Sequence, residues 1–186
     1  MLSENFIEQF CSNAASVFAN VSKEGINPAW SIDIDCDILE DYTGTNIEKA
    51  DQYKNWFAEL KKISGPVLYW FQIKSDIDSA AIVDAFNVYK DDPSRKNIPA
   101  LRNRPYMSSR VLYVGKVEKG IGGRLIQHLG YKGRKTQGLQ LFHWTKGLGL
   151  KLELVVLSFP KEMTLFMSIV ERAVATELKP LIGKHK

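Results

Sequence analysis

The chain has 186 residues, of which 45% are hydrophobic and 25% charged, and its formal net charge is +4. This is the composition of a soluble globular protein, and the length allows one core with a small accessory lobe. No apolar run approaches the roughly 18 residues of a membrane-spanning helix, and the first ten residues lack the basic flank of a signal peptide. Cys11 and Cys36 make neither a disulfide framework nor a metal cluster. We therefore expect a cytoplasmic protein that does not enter a membrane.

Positive charge is concentrated in one part of the chain. Between Arg110 and Lys151 there are nine lysines and arginines and a single acidic residue, Glu118. Residues 1–109 instead hold 11 basic and 16 acidic residues. A concentrated basic segment is typical of a protein that binds a polyanion such as nucleic acid, although a solvated basic face would give the same pattern.

The first 64 residues are predicted to be a mainly helical extension with one possible strand. Residues 3–21 place their apolar side chains on one helical stripe. Residues 32–38 alternate apolar side chains with three aspartates, which is typical of a half-buried strand with its carboxylates facing solvent. The glycine and glutamate of a calcium loop are missing there. Thr45 and Glu48 form a capping box, which predicts a helix that continues to Ile63.

A second unit, residues 65–186, is predicted to begin within the helix-ending segment Ser64-Gly65-Pro66. Residues 67–73 are almost wholly apolar, as expected of a central strand covered on both faces. Residues 75–109 form an insertion, with a helix predicted over Ser79–Tyr89 and a basic loop after it. In this loop Arg102 and Arg104, together with Arg95 and Lys96, are candidates for contacting a phosphate backbone.

The clearest chemical pattern lies between Val111 and Gly130. Residues 111–115 indicate a buried strand, and Lys116 follows at once. In the next helix Ile121, Leu125 and Leu129 form an apolar stripe. Arg124 and His128 are also four residues apart and share another face of that helix. A tyrosine at the end of a strand, a lysine after it and an arginine on the following helix form a set that could surround a phosphate. The glycines after Lys119 resemble an anion-binding loop but lack the spacing of a nucleotide-binding motif.

The last third of the chain supplies further basic residues and one notable carboxylate. Lys132, Arg134 and Lys135 alternate with aromatic residues, a pattern suited to nucleic-acid contact. Leu150–Leu157 is predicted as a third strand, and Pro160 suits the first turn of the last helix. The predicted core stripe of that helix consists of Phe166, Ile169, Val170, Ala173 and Val174. Glu171 lies in an adjoining apolar row, where a carboxylate needs a salt bridge or a metal ion to offset its desolvation.

Together these residues resemble the GIY-YIG nucleases, which are metal-dependent phosphodiesterases that cut DNA. Tyr113-Val114-Gly115 matches the second tyrosine motif of the family, and Val67-Leu68-Tyr69 is a degenerate form of the first. Arg124 matches the arginine of the family, with His128 in the form that some members carry, and Glu171 matches the late glutamate. The resemblance covers residues 66–183. It implies an α+β fold with a small three-stranded, mainly antiparallel sheet flanked by helices.

The resemblance also implies roles for these residues in hydrolysing a phosphodiester. Glu171 would ligate one divalent ion, Mg²⁺ or Mn²⁺, and the planar fork of Arg124 would bind the scissile phosphate. Tyr113 is the candidate base, because Lys116, Arg124 and the ion would favour its phenolate. His128 is a second candidate for moving the proton. Tyr69 would orient water or phosphate.

Three features depart from the family pattern. Val67 replaces the leading glycine of the first motif, and Gly183 stands where many members have an asparagine. Tyr69 and Tyr113 are 44 positions apart, much farther than in the family, although loops between strands tolerate such insertions. The sequence thus predicts a DNA endonuclease, a monomer or a homodimer, and the alternative is a catalytically inactive nucleic-acid-binding module of the same fold.

Overall fold

The computed structural model describes residues 4–41, 46–94, 97–101, 105–131 and 137–184, with the backbone alone at residues 27–29. The α+β class is confirmed. The described helices are α1 (Glu4–Glu24), α2 (Lys54–Lys62), α3 (Ser79–Asp91), α4 (Ile121–Leu129) and α5 (Met167–Leu178). The described strands are β1 (Asn27–Asp35), β2 (Val67–Ile73), β3 (Val111–Val117) and β4 (Lys151–Ser158). No described helix has the combination of length and apolar character needed to cross a membrane.

The strands form one antiparallel sheet in the order β1-β4-β2-β3. The predicted number of three strands is wrong, because β1 pairs with β4 from Trp30 to Asp35 and adds a fourth. The alternation in the sequence indicates a strand here, but it carries no information about its partner. Residues on both sides of position 64 therefore contribute to the same sheet, and the domain boundary predicted there stays a prediction.

The central strand β2 is hydrogen-bonded on both sides, to β3 and to β4. Its side chains divide the interior into two clusters. The cluster on one face, which we call the tyrosine core, includes Tyr69, Phe71, Tyr113, Leu125 and Leu129. The cluster on the other face, the methionine core, includes Leu68, Val114, Met163, Phe166 and Met167. Burial on both faces explains why residues 67–73 are almost wholly apolar.

Helix α1 covers only a small part of the methionine core. Ala14, Val17 and Val21 pack against that core, whereas Phe6 and Ile7 are 54% and 55% exposed. Since the apolar stripe of α1 is longer than the surface beneath it, the periodicity predicts the helix correctly but not how much of its stripe is covered.

Two predicted helical segments differ in detail. The helix predicted from Thr45 is interrupted: Asn46 caps a short 3-10 helix at Ile47–Lys49, and Ala50 then adopts an extended conformation before α2 begins. Thr45 itself lies outside the described residues. In the last helix, which follows a 3-10 segment at Lys161–Phe166, Ile169 and Ala173 are exposed rather than in the core.

Candidate active site

Strand register places the two candidate tyrosines on the same face of the sheet. Tyr69 is opposite Gly115 and Phe71 is opposite Tyr113, so the tyrosines are diagonal neighbours with ring centroids 6.3 Å apart. A Cβ atom at Gly115 would lie 2.5 Å from Tyr69 Oη and 2.7 Å from Tyr113 Cε1. Because Gly115 has no side chain, both phenol rings can pack against its Cα.

Helix α4 brings Arg124 and His128 to the buried Tyr69 hydroxyl. The helix follows Gly120 (φ 73°), and Ile121, Leu125 and Leu129 anchor it in the tyrosine core. Arg124 Nε donates to Tyr69 Oη at 3.0 Å, and His128 Nε2 lies 2.9 Å from the same oxygen. The prediction that Arg124 and His128 share a face is confirmed.

The hydrogen-bond pattern fixes the tautomer of His128. The Leu139 backbone N–H donates to His128 Nδ1 at 3.1 Å, so the proton of the neutral ring is on Nε2 and is donated to Tyr69. Burial lowers the pKa of His128 well below its ordinary value, and the charge of Arg124 lowers it further. The ring is therefore neutral at pH 7.

The hydroxyl group of Tyr69 connects His128 and Arg124 to Tyr113 by hydrogen bonds. Its oxygen accepts from both His128 and Arg124, so its own hydrogen is free to donate, and it is hydrogen-bonded to Tyr113. Burial raises the pKa of Tyr113 above its ordinary value, and the Glu171 carboxylate adds to this, while Arg124 opposes it. Both tyrosines are thus neutral phenols at pH 7 without an added cation.

Glu171 reaches the same place from α5. Its side chain is half-buried and interacts electrostatically with both phenols. Glu171 and Tyr113 line one cavity of about 220 Å³, together with Pro99, Ala100, Gln137, Gly183 and Lys184. The structure therefore brings together four of the predicted site residues, which come from β2, β3, α4 and α5: Tyr69, Tyr113, Arg124 and Glu171.

The donor set at this cavity fits an ion held by one carboxylate. Glu171 is the single carboxylate among the described residues that line the cavity. No group of three or more His, Cys, Asp or Glu side chains in the described part of the chain is placed to hold a metal ion. An ion bound here would take its remaining ligands from water and from substrate, as Mg²⁺ commonly does.

Two of the residues expected at the reacting centre are not placed for the roles expected of them. His128 is fully buried, both of its nitrogens are engaged within the protein, and it does not line the cavity. It therefore holds Tyr69 in place and does not exchange a proton with solvent directly. Lys116 is paired with Leu68 of the methionine core. Because side chains alternate along a strand, Lys116 points to the face opposite Tyr113, and its expected proximity to that phenol is wrong.

The predicted nucleic-acid contacts are only partly described. Lys119 lines a second cavity of about 700 Å³, whose other lining residues include Ser64, Phe159, Lys161 and Thr164. Lys132, Arg134, Lys135, Arg102 and Arg104 lie outside the described residues, as do Arg95 and Lys96, and their role in binding stays a prediction.

Sequence reasoning missed three parts of the site. Gln127 Oε1 accepts from Arg124 Nη1 at 2.7 Å, and the Gln137 carbonyl accepts from the same nitrogen. The three-residue spacing of Arg124 and Gln127 could have indicated the first contact, whereas a backbone carbonyl leaves no signal in a sequence. The insertion contributes Pro99 and Ala100 to the cavity wall, and nothing in its composition indicates this.

A comparison of the chain with models of known protein families, with curated proteins and with solved structures found no match. The resemblance to GIY-YIG nucleases therefore depends on the motif residues of the sequence alone.

Proposed function

We propose that the protein is a metal-dependent DNA endonuclease of the GIY-YIG type, which hydrolyses phosphodiester bonds at the cavity between Tyr113 and Glu171. The observation that carries the proposal is the convergence of Tyr69, Tyr113, Arg124 and Glu171 around one site. These residues come from four different elements of the fold and from positions between 69 and 171 of the chain.

Arg124 would bind the scissile phosphate. Its guanidinium lies beside both phenol oxygens, and its planar donors match two oxygens of a phosphate. A positive charge held in a partly buried position stabilises the negative charge that develops on the phosphate in the transition state.

Tyr113 would accept the proton of the attacking water. A neutral phenol is a weak base, so its pKa must fall before it can act. Arg124 already opposes the effect of burial on the pKa of Tyr113. A divalent ion beside Glu171 would add positive charge, activate water and shield the carboxylate that raises the pKa of the phenol. Tyr69, which is held by His128 and Arg124, fixes the orientation of the Tyr113 hydroxyl.

The alternative function is a nucleic-acid-binding module that lacks catalysis. Gly183 favours it, because this residue lines the cavity where many family members place an asparagine. The Gly183 N–H donates to the Ala100 carbonyl at 3.1 Å, so the position supplies backbone contacts to the cavity wall but no side chain to the site.

Nicking of supercoiled plasmid distinguishes the two functions. We expect the wild type to convert supercoiled plasmid to open circles with Mg²⁺ and not with EDTA. Glu171→Ala should abolish nicking, since it removes the single carboxylate that the described residues place at the cavity, while salt-sensitive DNA binding remains. Glu177→Ala is the matched control, because Glu177 is an exposed glutamate on the same helix.

Each outcome has a distinct meaning. DNA binding by the wild type without metal-dependent nicking would establish the binding module instead. Nicking that survives in Glu171→Ala would remove Glu171 from the site and, with it, the proposed way of holding the ion.

A further inference from the structure

The guanidinium of Arg124 is held at more points than phosphate binding alone requires. Its Nε–H donates to Tyr69, and its Nη1 donates both to Gln127 Oε1, at 2.7 Å, and to the Gln137 carbonyl. Arginine has five N–H donors; these three contacts occupy three of them, and Arg124 is also hydrogen-bonded to Tyr113. A phosphate that binds at Arg124 must therefore use the remaining donors or replace one of these contacts.

The three contacts differ in how firmly they are built into the fold. Tyr69 is fully buried in the central strand. Gln127 is half-buried and lies on α4 itself, one helical turn after Arg124. Gln137 is exposed and lines the cavity. Its carbonyl is thus a contact at the cavity that a substrate oxygen can replace, and the replacement leaves the hydrogen bond between Arg124 and the proposed base Tyr113 in place.

We propose that Gln127 is a positioning residue, which together with Tyr69 fixes the plane of the Arg124 guanidinium, and that a phosphate oxygen replaces the Gln137 carbonyl when substrate binds. This inference rests on the proposed endonuclease function. Two contacts to different nitrogens prevent the guanidinium from rotating, so its orientation is fixed before substrate arrives. Such preorganisation contributes to the rate because the donors do not have to be oriented during the reaction.

The test compares two substitutions of Gln127 with a control. Gln127→Met keeps the length of the side chain but removes the acceptor. We expect kcat for plasmid nicking to fall about 10- to 100-fold, since a misplaced binding group costs that much, with little change in KM. Gln127→Glu keeps an acceptor oxygen for Nη1 and should retain most of kcat. Gln9→Met, at an exposed glutamine of α1, should not differ from the wild type in kcat or in melting temperature.

The activity of Gln127→Glu distinguishes a positioning role of Gln127 from a merely structural one. A fall in kcat for Gln127→Met with an unchanged melting temperature, and recovery in Gln127→Glu, support the proposal. A kcat for Gln127→Met equal to that of Gln9→Met overturns it while leaving the endonuclease function intact.

If the wild type does not nick plasmid, the endonuclease function fails independently, and binding of a labelled DNA duplex in EDTA decides the role of Gln127. Removing one protein–phosphate interaction lowers the salt dependence of the binding constant by about one. The same decrease in Arg124→Ala and in Gln127→Met supports positioning, and an unchanged slope in Gln127→Met overturns it.

Discussion

Two cavities have basic residues at or beside their walls. They differ both in volume and in the contacts that their polar side chains make. The cavity at Lys119 and Lys161 has about 700 Å³, and the cavity at Tyr113 and Glu171 about 220 Å³. Neither Lys119 nor Lys161 forms an ion pair with a residue that the structure describes. Tyr113 joins the smaller cavity to a network of contacting polar side chains behind it, and burial shifts the pKa values of both tyrosines and of His128 in that network.

Contacts between buried polar side chains indicate a functional site better than the volume of a cavity does. Burying three polar rings and a guanidinium is costly unless each of them is hydrogen-bonded. Replacing buried charged groups by well-packed apolar side chains is often neutral or stabilising. The network therefore points to function at the smaller cavity, and the following substitutions test this contrast, beginning with the largest expected effect.

Tyr113→Phe should have the largest effect on activity. Removing a general base lowers the rate by about 10²- to 10⁴-fold, and we expect a fall of this size in plasmid nicking with Mg²⁺. DNA binding in EDTA should be retained because Arg124 remains. Tyr131→Phe is the control, since the Tyr131 hydroxyl donates to the Glu40 carbonyl away from the cavity. Equal nicking by the two variants would exclude Tyr113 as the base.

Gly115→Ala should have the next largest effect, on stability as well as on activity. The added Cβ would lie 2.5 Å from Tyr69 Oη, so the ring must move away from its hydrogen-bonding partners Arg124 and His128. Overpacking of this kind costs about 1–3 kcal/mol, measurable by urea unfolding, and nicking should fall as well. In the control Gly122→Ala, the Cβ would lie 3.3 Å from Phe57 Cδ1, and the helix propensity of alanine offsets this milder approach. Equal stability of the two variants would show that Gly115 is not required beneath the tyrosines.

Gly115 shows how much of the site can be predicted from the sequence. The motif Tyr113-Val114-Gly115 indicates the strand, the tyrosine and the glycine, because short-range spacing determines which side chains share a face. Helical periodicity places Arg124 on one face with His128 and Glu171 in an apolar row, whereas the assignment of Glu171 to the site is what the resemblance implies. The fold class and the central strand β2 are likewise predictable from apolar runs.

Contacts between distant segments are not predictable in this way. The pairing of β1 with β4 depends on which strand edges remain open after the rest of the sheet forms, and alternation alone does not encode this. The expected position of Lys116 is wrong because adjacent strand positions alternate between faces, so a residue near Tyr113 in sequence can lie far from its hydroxyl in space. The Gln137 carbonyl contact depends on a loop path that no side chain specifies.

Acid should destabilise the network at the smaller cavity. The pKa of His128 is depressed in the folded protein, whereas the unfolded chain has the ordinary value of about 6.5. Stability from this group is therefore complete above pH ~6.5 and decreases as the pH falls towards the folded pKa, by up to about 1.4 kcal/mol per pH unit. Urea unfolding of wild type and His128→Gln between about pH 7.5 and pH 5 measures this. In His128→Gln the free energy of unfolding should depend less steeply on pH than in the wild type. Equal pH dependence in the two proteins would show that His128 does not titrate as described.

The smallest effect is expected at the larger cavity, from Lys119→Ala combined with Lys161→Ala. On the proposed function these lysines would attract DNA phosphates only through their general positive charge, so nicking at low salt should change only slightly. The salt dependence of binding should fall by about one for each phosphate that the protein no longer neutralises. Lys54→Ala is the control, because Lys54 is already paired with Asp51 at 2.8 Å. A loss of nicking as complete as that of Tyr113→Phe would mean that the substrate reacts at the larger cavity, and coupled polar contacts would then have failed to distinguish the site from a basic surface.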